Sequence, residues 1–470
     1  MDFHVSLAGR GDLSVRIYRQ LRDAVLDGRL RAGERLPPTR ELARRLAVSR
    51  NTVAVAYDRL TADGFLTGRV GAGTYVCAEL PAPKPRKAPL ARGPRPKPVW
   101  RSLPPPAAAA PDPAFDFRVG IPDATLFPLD TWRRLLAREL RDAAGFAHYA
   151  EPGGHPGLRA AIARHVGVSR SVRAGADDVL VTQGAQQALD LLARVLLEPG
   201  DRVAVEEPGY RMARLLFASH GAEVVGVPVD GEGLDVAALP SRTKLVYVTP
   251  SHQFPLGTPM SLTRRTALLA WADRAGAVVV EDDYDSEFRF SDRPLEPLQS
   301  LDRDGRVAYV GSFSKTLLPM LRLGFLIAPA SLRDALHHAR QLSGWHGDLP
   351  AQAALAGFID DGLFARHLRR ATKVYADRHE RITTTLDRVF AGRLTPVPSA
   401  AGLHLCALAE DGTDLEPIAA RAAAAGAAIQ TLSDLCGGFP RQGVVLGYGS
   451  IPLDSIDAGL AVLAEAWGSV

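Results

Sequence analysis

The stretch RVAYVGSFSKTLLPMLRLGFLIAP, residues 306–329, carries the densest chemistry in the chain. Its opening run of apolar residues reads as a buried strand that ends in Ser312, Ser314 and Lys315, with Arg322 seven residues later. An ammonium left unpaired in such an apolar setting is costly. An imine between the Lys315 amine and an aldehyde removes that cost and anchors a small molecule. Two hydroxyls and a guanidinium are the groups a phosphate dianion needs nearby.

Working outward, short β-branched runs alternate with longer amphipathic ones: DDVLVTQG then AQQALDLLARVLL, DRVAVEE then YRMARLLFASHG, KLVYVTP then SLTRRTALLAWADRAG, and AVVVEDD. That rhythm predicts βα units and a mainly parallel sheet covered on both faces. From about Ala330 onward the sequence turns helical and Ala-rich, then strand-like at GLHLCAL and GVVLGYGSI, which predicts a small C-terminal α+β subdomain from about residue 331. AVVVEDDYDSEF delivers Asp282 and Tyr284 at the carboxyl edge of a strand, where open α/β sheets bind ligands. VTQGAQQALD reads as strand, Gly turn and helix start, so Ala185 and Gln186 can offer backbone N–H groups to an anion.

These pieces, in this order, resemble fold-type I enzymes dependent on pyridoxal 5′-phosphate (PLP), whose motif is S-x-S-K-x-x-x-x-x-x-R. The resemblance implies an aminotransferase-like α/β domain with an internal aldimine on Lys315. It further implies that Asp282 pairs with the pyridine nitrogen and Tyr284 with the ring hydroxyl. Tyr210, in EEPGYR, resembles the aromatic that stacks on the ring, and Tyr149, in HYAEPGGHPGLR, the tyrosine that reaches a neighbouring subunit's phosphate, which implies a homodimer. Two positions depart from the aminotransferase pattern. Val445, in GVVLGYGSI, stands where such enzymes carry a carboxylate-binding arginine, and Phe254, in SHQFPLG, stands where they carry an asparagine. Lost polar anchors weaken substrate orientation, which alone is worth several kcal/mol in a two-substrate reaction. Arg211, His252, Gln253 and Tyr448 are expected neighbours of an amine ligand.

Residues 14–28, SVRIYRQLRDAVLDG, place Val15, Tyr18, Leu21, Val25 and Leu26 on one helical stripe, with Ser14 as the expected cap. Thr39 is the expected cap of TRELARRLA, and Ser49 of SRNTVAVAYDRLTADG, so a helix-turn-helix follows. FLTGRVGAGTYV reads as two strands joined by a glycine-rich turn with Arg69 at its tip. Arg50, Asn51 and Thr52 face outward early in the third helix and Arg40 opens the second, a set suited to base edges and phosphates of double-stranded DNA. This segment resembles the GntR winged-helix family in LP-x-x-R-E-L-A, V-S-R-x-T-V and G-x-G-T-Y-V. Ala54 departs from it where several members carry another arginine.

Between the two lies PAPKPRKAPLARGPRPKPVWRSLPPPAAAAPDP, residues 81–113, too proline-rich and too poor in bulky apolar residues to fold alone. The expected plan is a winged-helix domain over 1–80, a linker over 81–113 and the PLP-binding body over 114–470. Residues 1–80 carry 13 Arg against 9 acids, the linker has a balance of +6, and the chain total of +4 leaves the body at −6. A basic end joined to an acidic body points to a polyanion at one end only. Cys77, Cys406 and Cys436 are too few and too scattered for a zinc site or redox pair, and no run is long and apolar enough to span a membrane. A cytoplasmic protein without a metal is expected.

Head, linker and body together resemble the MocR subfamily of GntR-type regulators, GabR-like or PdxR-like. The resemblance implies a DNA-binding regulator in which PLP, or an amine-bearing effector on it, is sensed by a homodimer, domain-swapped or not. The alternative is a working aminotransferase with an appended head, and a third reading makes PLP purely structural.

Overall fold

The computed structural model describes residues 12–69, 73–77, 94–105, 112–141, 148–290, 296–410, 412–438 and 441–468. It divides into two compact units, Met1–Arg95 and Pro96–Val470.

In the first unit, helices Leu13–Leu26, Thr39–Arg45 and Arg50–Ala62 are followed by antiparallel strands Leu66–Arg69 and Gly73–Val76. Ile17, Leu21, Val53, Tyr57, Leu60, Leu66 and Val76 form its core. The first helix starts two residues earlier than expected, because Asp12, not Ser14, is its cap, the carboxylate accepting the Ser14 N–H at 2.8 Å. The buried stripe is therefore Ile17, Tyr18, Leu21, Ala24 and Val25, and Leu26, one further step of about 100° around the helix, is left exposed. Thr39 is likewise the first helical residue, after an uncapped Pro38, and makes no cap. Ser49 does cap the third helix, accepting the Thr52 N–H at 3.1 Å. The Tyr18 hydroxyl donates to Asp63 at 2.6 Å and the Arg59 guanidinium lies 4.4 Å over the Tyr18 ring, which ties the first helix to the third. Residues 70–72, within the expected glycine-rich turn, lie outside the described residues.

The second unit is built on an eight-stranded sheet. Its order is Val179–Thr182, Gly324–Ile327, Val307–Ser312, Val278–Asp283, Thr243–Val248, Arg202–Glu207, Glu223–Asp230 and Gly233–Leu234. Five adjacent strands, from Val307–Ser312 to Glu223–Asp230, run parallel; Gly324–Ile327 is antiparallel to both its neighbours and Gly233–Leu234 to its one. The strands read as near-continuous apolar runs because helices cover both faces. Ala185–Leu196 and Arg211–Ser219 pack on one side with Leu189, Leu192 and Phe217. Pro156–Arg170 and Leu349–Asp360 pack with Ile162, Val166, Leu355 and Phe358.

Helix Leu363–Val389 leads into a four-stranded sheet, Leu394–Pro396, His404–Ala409, Gly443–Gly447 and Gln430–Thr431, covered by Leu415–Ala424 and Ile456–Gly468. Strand Phe115–Asp116, at the start of the body, pairs with Ala427–Ala428 of this smaller subdomain, and Phe117 joins its core. From the proline-rich stretch, the described residues 94–105 include a short helix, Val99–Ser102. Among the described residues no helix is long and apolar enough to cross a membrane.

Candidate functional site

The carboxyl ends of the parallel strands open into a cavity of about 480 Å³. Lys315, Asp282, Tyr284, Ser312, Ser314, Arg322, Ala185, Gln186 and Tyr210 all line it, so nine of the ten residues singled out for a cofactor converge from five chain segments. Tyr149 does not; it is 80% exposed, with its ring 5.1 Å from that of Trp345.

Strand Val307–Ser312 passes directly into a one-turn helix, Phe313–Thr316, in which Ser312 Oγ accepts the Ser314 N–H at 3.1 Å. That turn carries Lys315 into the cavity, where its ammonium donates to the Gly120 carbonyl at 2.7 Å. Burial lowers its affinity for a proton. Arg322 sits in the left-handed region at φ 51°, ψ 44°, which costs a non-glycine residue on the order of 1 kcal/mol. The conformation lets its guanidinium donate to the Gln183 carbonyl at 2.7 Å, beside the N-terminus of helix Ala185–Leu196. Gly184, at φ 81°, holds a backbone conformation that strains any side chain, and an added Cβ would lie in tight contact with the guanidinium at 3.3 Å. Gly324 crosses behind it, where an added Cβ would lie 2.8 Å from the Gly184 Cα. Two hydroxyls, a guanidinium and free N–H groups at the positive end of a helix thus surround one corner of the cavity, an arrangement made for a dianion.

Asp282, which also lines the cavity, is buried and accepts the Tyr247 hydroxyl at 2.7 Å through Oδ2. Its Oδ1 has no partner among the described residues. Burial pushes this carboxyl up to about 7, with the Tyr247 hydrogen bond only partly opposing it. A buried carboxylate with one bare oxygen is a place for a cation with a hydrogen-bonding proton, and a pyridinium N–H has that chemistry. Tyr247 was missed in the sequence; KLVYVTP alternates sides, and the tyrosine falls on the face that meets Asp282. Behind it, buried Asp283 pairs with Arg170 at 2.9 Å and accepts the Tyr309 hydroxyl at 2.6 Å, fixing the strand ends.

The remaining wall is aromatic and imidazole. Phe254 lies 5.8 Å from Tyr210 and 6.2 Å from Tyr284, ring to ring and edge-on. His404 and Asp285 also line the cavity, joined at its mouth by Arg211, Gln430 and Asp434. Of the four neighbours expected for an amine ligand, only Arg211 reaches the cavity. Gln253 is turned away, its amide donating to the Pro208 and Phe254 carbonyls. Tyr448 is buried behind Gly402, whose carbonyl it meets at 2.9 Å. His252 lies behind Tyr284. Val445 sits in the core with Cys406 and Leu432, and its cross-strand partner Gln430 faces the cavity instead. His252, Asp285 and His404 bring their ligating atoms within 4.8 Å of one another. Both oxygens of Asp285 are already held, by the His252 Nδ1 at 3.0 and 3.1 Å and by the Leu403 N–H at 3.2 Å, so the cluster reads as a hydrogen-bond relay.

On the first unit, Arg40, Arg50, Asn51 and Arg69 are exposed and Thr52 half-buried. The Thr52 hydroxyl is 2.8 Å from Ser49 Oγ, so it is shared with the cap. Arg69 ends its strand with the guanidinium 4.9 Å over the Tyr75 ring.

The fold and the cavity define an aminotransferase-like body carrying a winged-helix head. The family model of class I and II aminotransferases matches residues 115–416, and that of the bacterial gntR-family regulatory proteins matches residues 13–76. A probable rhizopine catabolism regulatory protein, MocR, of Rhizobium meliloti is 40% identical over 462 residues, covering 96% of this chain and 93% of that protein. The pyridoxine biosynthesis transcriptional regulator PdxR of Corynebacterium glutamicum is 33% identical, covering 97% and 96%. Among solved structures, a kynurenine aminotransferase of Pyrococcus horikoshii superposes with a TM-score of 0.70 at 28% identity, over 75% of this chain and 90% of that one. The chain belongs to the MocR-type GntR family of transcriptional regulators, which join a winged-helix domain to an aminotransferase-like domain.

Proposed function

We propose that this regulator senses PLP, or a primary amine captured by it, in the cavity around Lys315, and that occupancy sets how a homodimer grips its operator. One observation carries the reading. Lys315 and Asp282, which has one carboxylate oxygen without a partner among the described residues, line the same cavity as Ser312, Ser314, Arg322 and the helix start at Ala185 and Gln186. Bound there, PLP supplies an aldehyde that captures amines and an electron-withdrawing ring. Lys315 would hold it through its amine, Asp282 would keep its pyridine nitrogen protonated, Tyr284 would donate to its ring oxygen, and Tyr210 would pack against the ring. Tyr149, exposed and outside its own cavity, serves the site of a second chain.

Sensing is favoured over turnover because Phe254 puts a hydrocarbon edge, and Val445 a buried aliphatic, where an orienting amide and guanidinium would be needed. In the head, Arg50 and Asn51 enter the major groove while Arg40 and Arg69 hold the phosphate backbone. The test is to strip the coenzyme and titrate PLP back while following operator affinity at fixed salt, since salt alone moves such affinities by orders of magnitude. The expected result is a PLP-dependent affinity that Lys315→Ala abolishes. A wild-type affinity that ignores PLP, or a Lys315→Ala protein that still responds, overturns the sensor reading.

A further inference from the structure

We infer that His252 is a positioning residue that fixes the direction of the Tyr284 hydroxyl proton, and through it the proton balance of the coenzyme's linkage to Lys315. The inference rests on the coenzyme reading above and deepens it.

Tyr284 presents its ring to the cavity, but its hydroxyl oxygen is held from behind, 2.9 Å from the His252 carbonyl and 3.2 Å from the His252 Nδ1. The imidazole is in turn gripped by Asp285 at 3.0 and 3.1 Å, with both side chains 1% exposed. Asp285 comes from the same strand end as Tyr284, and its Oδ2 also takes the Leu403 N–H. The grip is close: an added Cβ on Gly402, at φ 86°, would lie 2.1 Å from the His252 Cε1 and 2.5 Å from the Asp285 Oδ2.

The proton count follows from these contacts. An ionised carboxylate only accepts, so the proton of a neutral His252 must sit on Nδ1. Nε2, buried and without a partner among the described residues, then carries the lone pair. The single Nδ1 proton is shared, held chiefly by the Asp285 carboxylate at 3.0 Å and reaching the phenol oxygen at 3.2 Å, so the phenol oxygen accepts on that side and its own proton is left to point at the His252 carbonyl or at an acceptor in the cavity. An anionic ring oxygen outbids a neutral carbonyl for that proton. Burial, which pushes the Tyr284 ionisation well up, keeps it a donor throughout.

If the imidazole is removed, the phenol loses its back support and donates less well. The deprotonated form of the linkage, whose ring oxygen bears its full charge, leans on Tyr284 more than the protonated form does. Loss of the donor therefore raises the pH at which the linkage gives up its proton. The charged and titratable groups facing this pair are Asp282, Asp283 and Asp285 on the strand end, Glu206, Lys315, His404 on the small sheet and His379 on the long helix. A neutral replacement of His252 removes none of these groups, though it relieves the charge that His252 sets against His379 and His404.

The experiment is a pH titration of the visible absorbance of the PLP-loaded full chain. His252→Leu removes the donor, and His252→Asn restores one, because the asparagine amide nitrogen occupies the place of Nδ1. His252→Leu should raise the midpoint by roughly one pH unit, His252→Asn should keep it near wild type, and Tyr284→Phe should raise it at least as far as His252→Leu. Adding His252→Leu to Tyr284→Phe should shift it no further. Where the Leu variant is insoluble, His252→Gln, whose amide sits one bond too far out, replaces it with the same expectation. An unmoved midpoint in a PLP-loaded Leu or Gln variant overturns the inference, and so does an additive double variant. Absence of any visible band in wild type would instead sink the coenzyme reading itself.

Discussion

Asp282→Asn in the coenzyme-free protein offers a sharp test of the cavity's electrostatics. The wild-type carboxyl, pushed by burial from 3.8 up to about 7, holds its proton in the folded state over a range where the unfolded chain has released it. A folded value above the unfolded one stabilises at low pH, and that stabilisation is lost as pH rises through the folded value. Between pH 5 and 8 the wild type should therefore lose roughly 2–3 kcal/mol from this group, since each of the two pH units below the midpoint is worth about 1.4 kcal/mol. The asparagine keeps an acceptor for Tyr247 and cannot ionise, so its pH dependence should be flatter by that amount. Urea unfolding of the stripped wild type and variant at pH 5, 6, 7 and 8 measures the difference directly. Parallel curves for the two proteins would refute the claim that Asp282 is strained by burial. Saturating PLP should flatten the wild-type curve as well, because a cation beside Asp282 stabilises its ionised form, and should leave the variant's slope unchanged.

Three further outcomes are expected. Arg322→Ala should weaken PLP binding by roughly 10- to 100-fold in a fluorescence titration, the loss of a charge-assisted phosphate contact, while relieving a left-handed non-glycine backbone only slightly if at all. Ser49→Ala should lower the stability of the head by about 1 kcal/mol, seen as an earlier thermal transition with the coenzyme absorbance unchanged, because the Thr52 N–H loses its acceptor. Arg50→Ala should weaken operator binding by roughly 10- to 100-fold and relax specificity at one base position, whereas Arg40→Ala should lower the slope of log affinity against log salt by about one.

The alternation of apolar runs and amphipathic helices made the sheet and its cover readable, since strands buried on both faces leave little choice of residue. Less readable were the antiparallel placement of Gly324–Ile327 and the pairing of Phe115–Asp116 with Ala427–Ala428, because register between distant segments leaves no local trace. The same division runs through the cavity. Lys315, Asp282 and Tyr284 lie at strand ends or in turns directly after them, where position fixes direction. Gln253 and Tyr448 lie just as near the motifs in sequence, yet their side chains turn into backbone carbonyls of neighbouring loops. Tyr247, Asp285 and His404 had no motif of their own, and only the fold brings them to the wall. At the helix starts, Asp12 took the role expected of Ser14, since its carboxylate accepts both the N–H and the hydroxyl of Ser14.

The pairing of Phe115–Asp116 also decides where the proline-rich stretch is moored. That stretch ends on the small sheet's side of the body, with the Gly447 N–H bonded to the Phe117 carbonyl at 2.8 Å, and not on the broad eight-stranded slab. Any rocking of the small subdomain when a guest enters would tug on the mooring itself, with no intermediate gear. A pair of spectroscopic labels at Asp112 and Lys244 would record such a tug as a change in their separation on adding PLP, and an unchanged separation would show the mooring to be still.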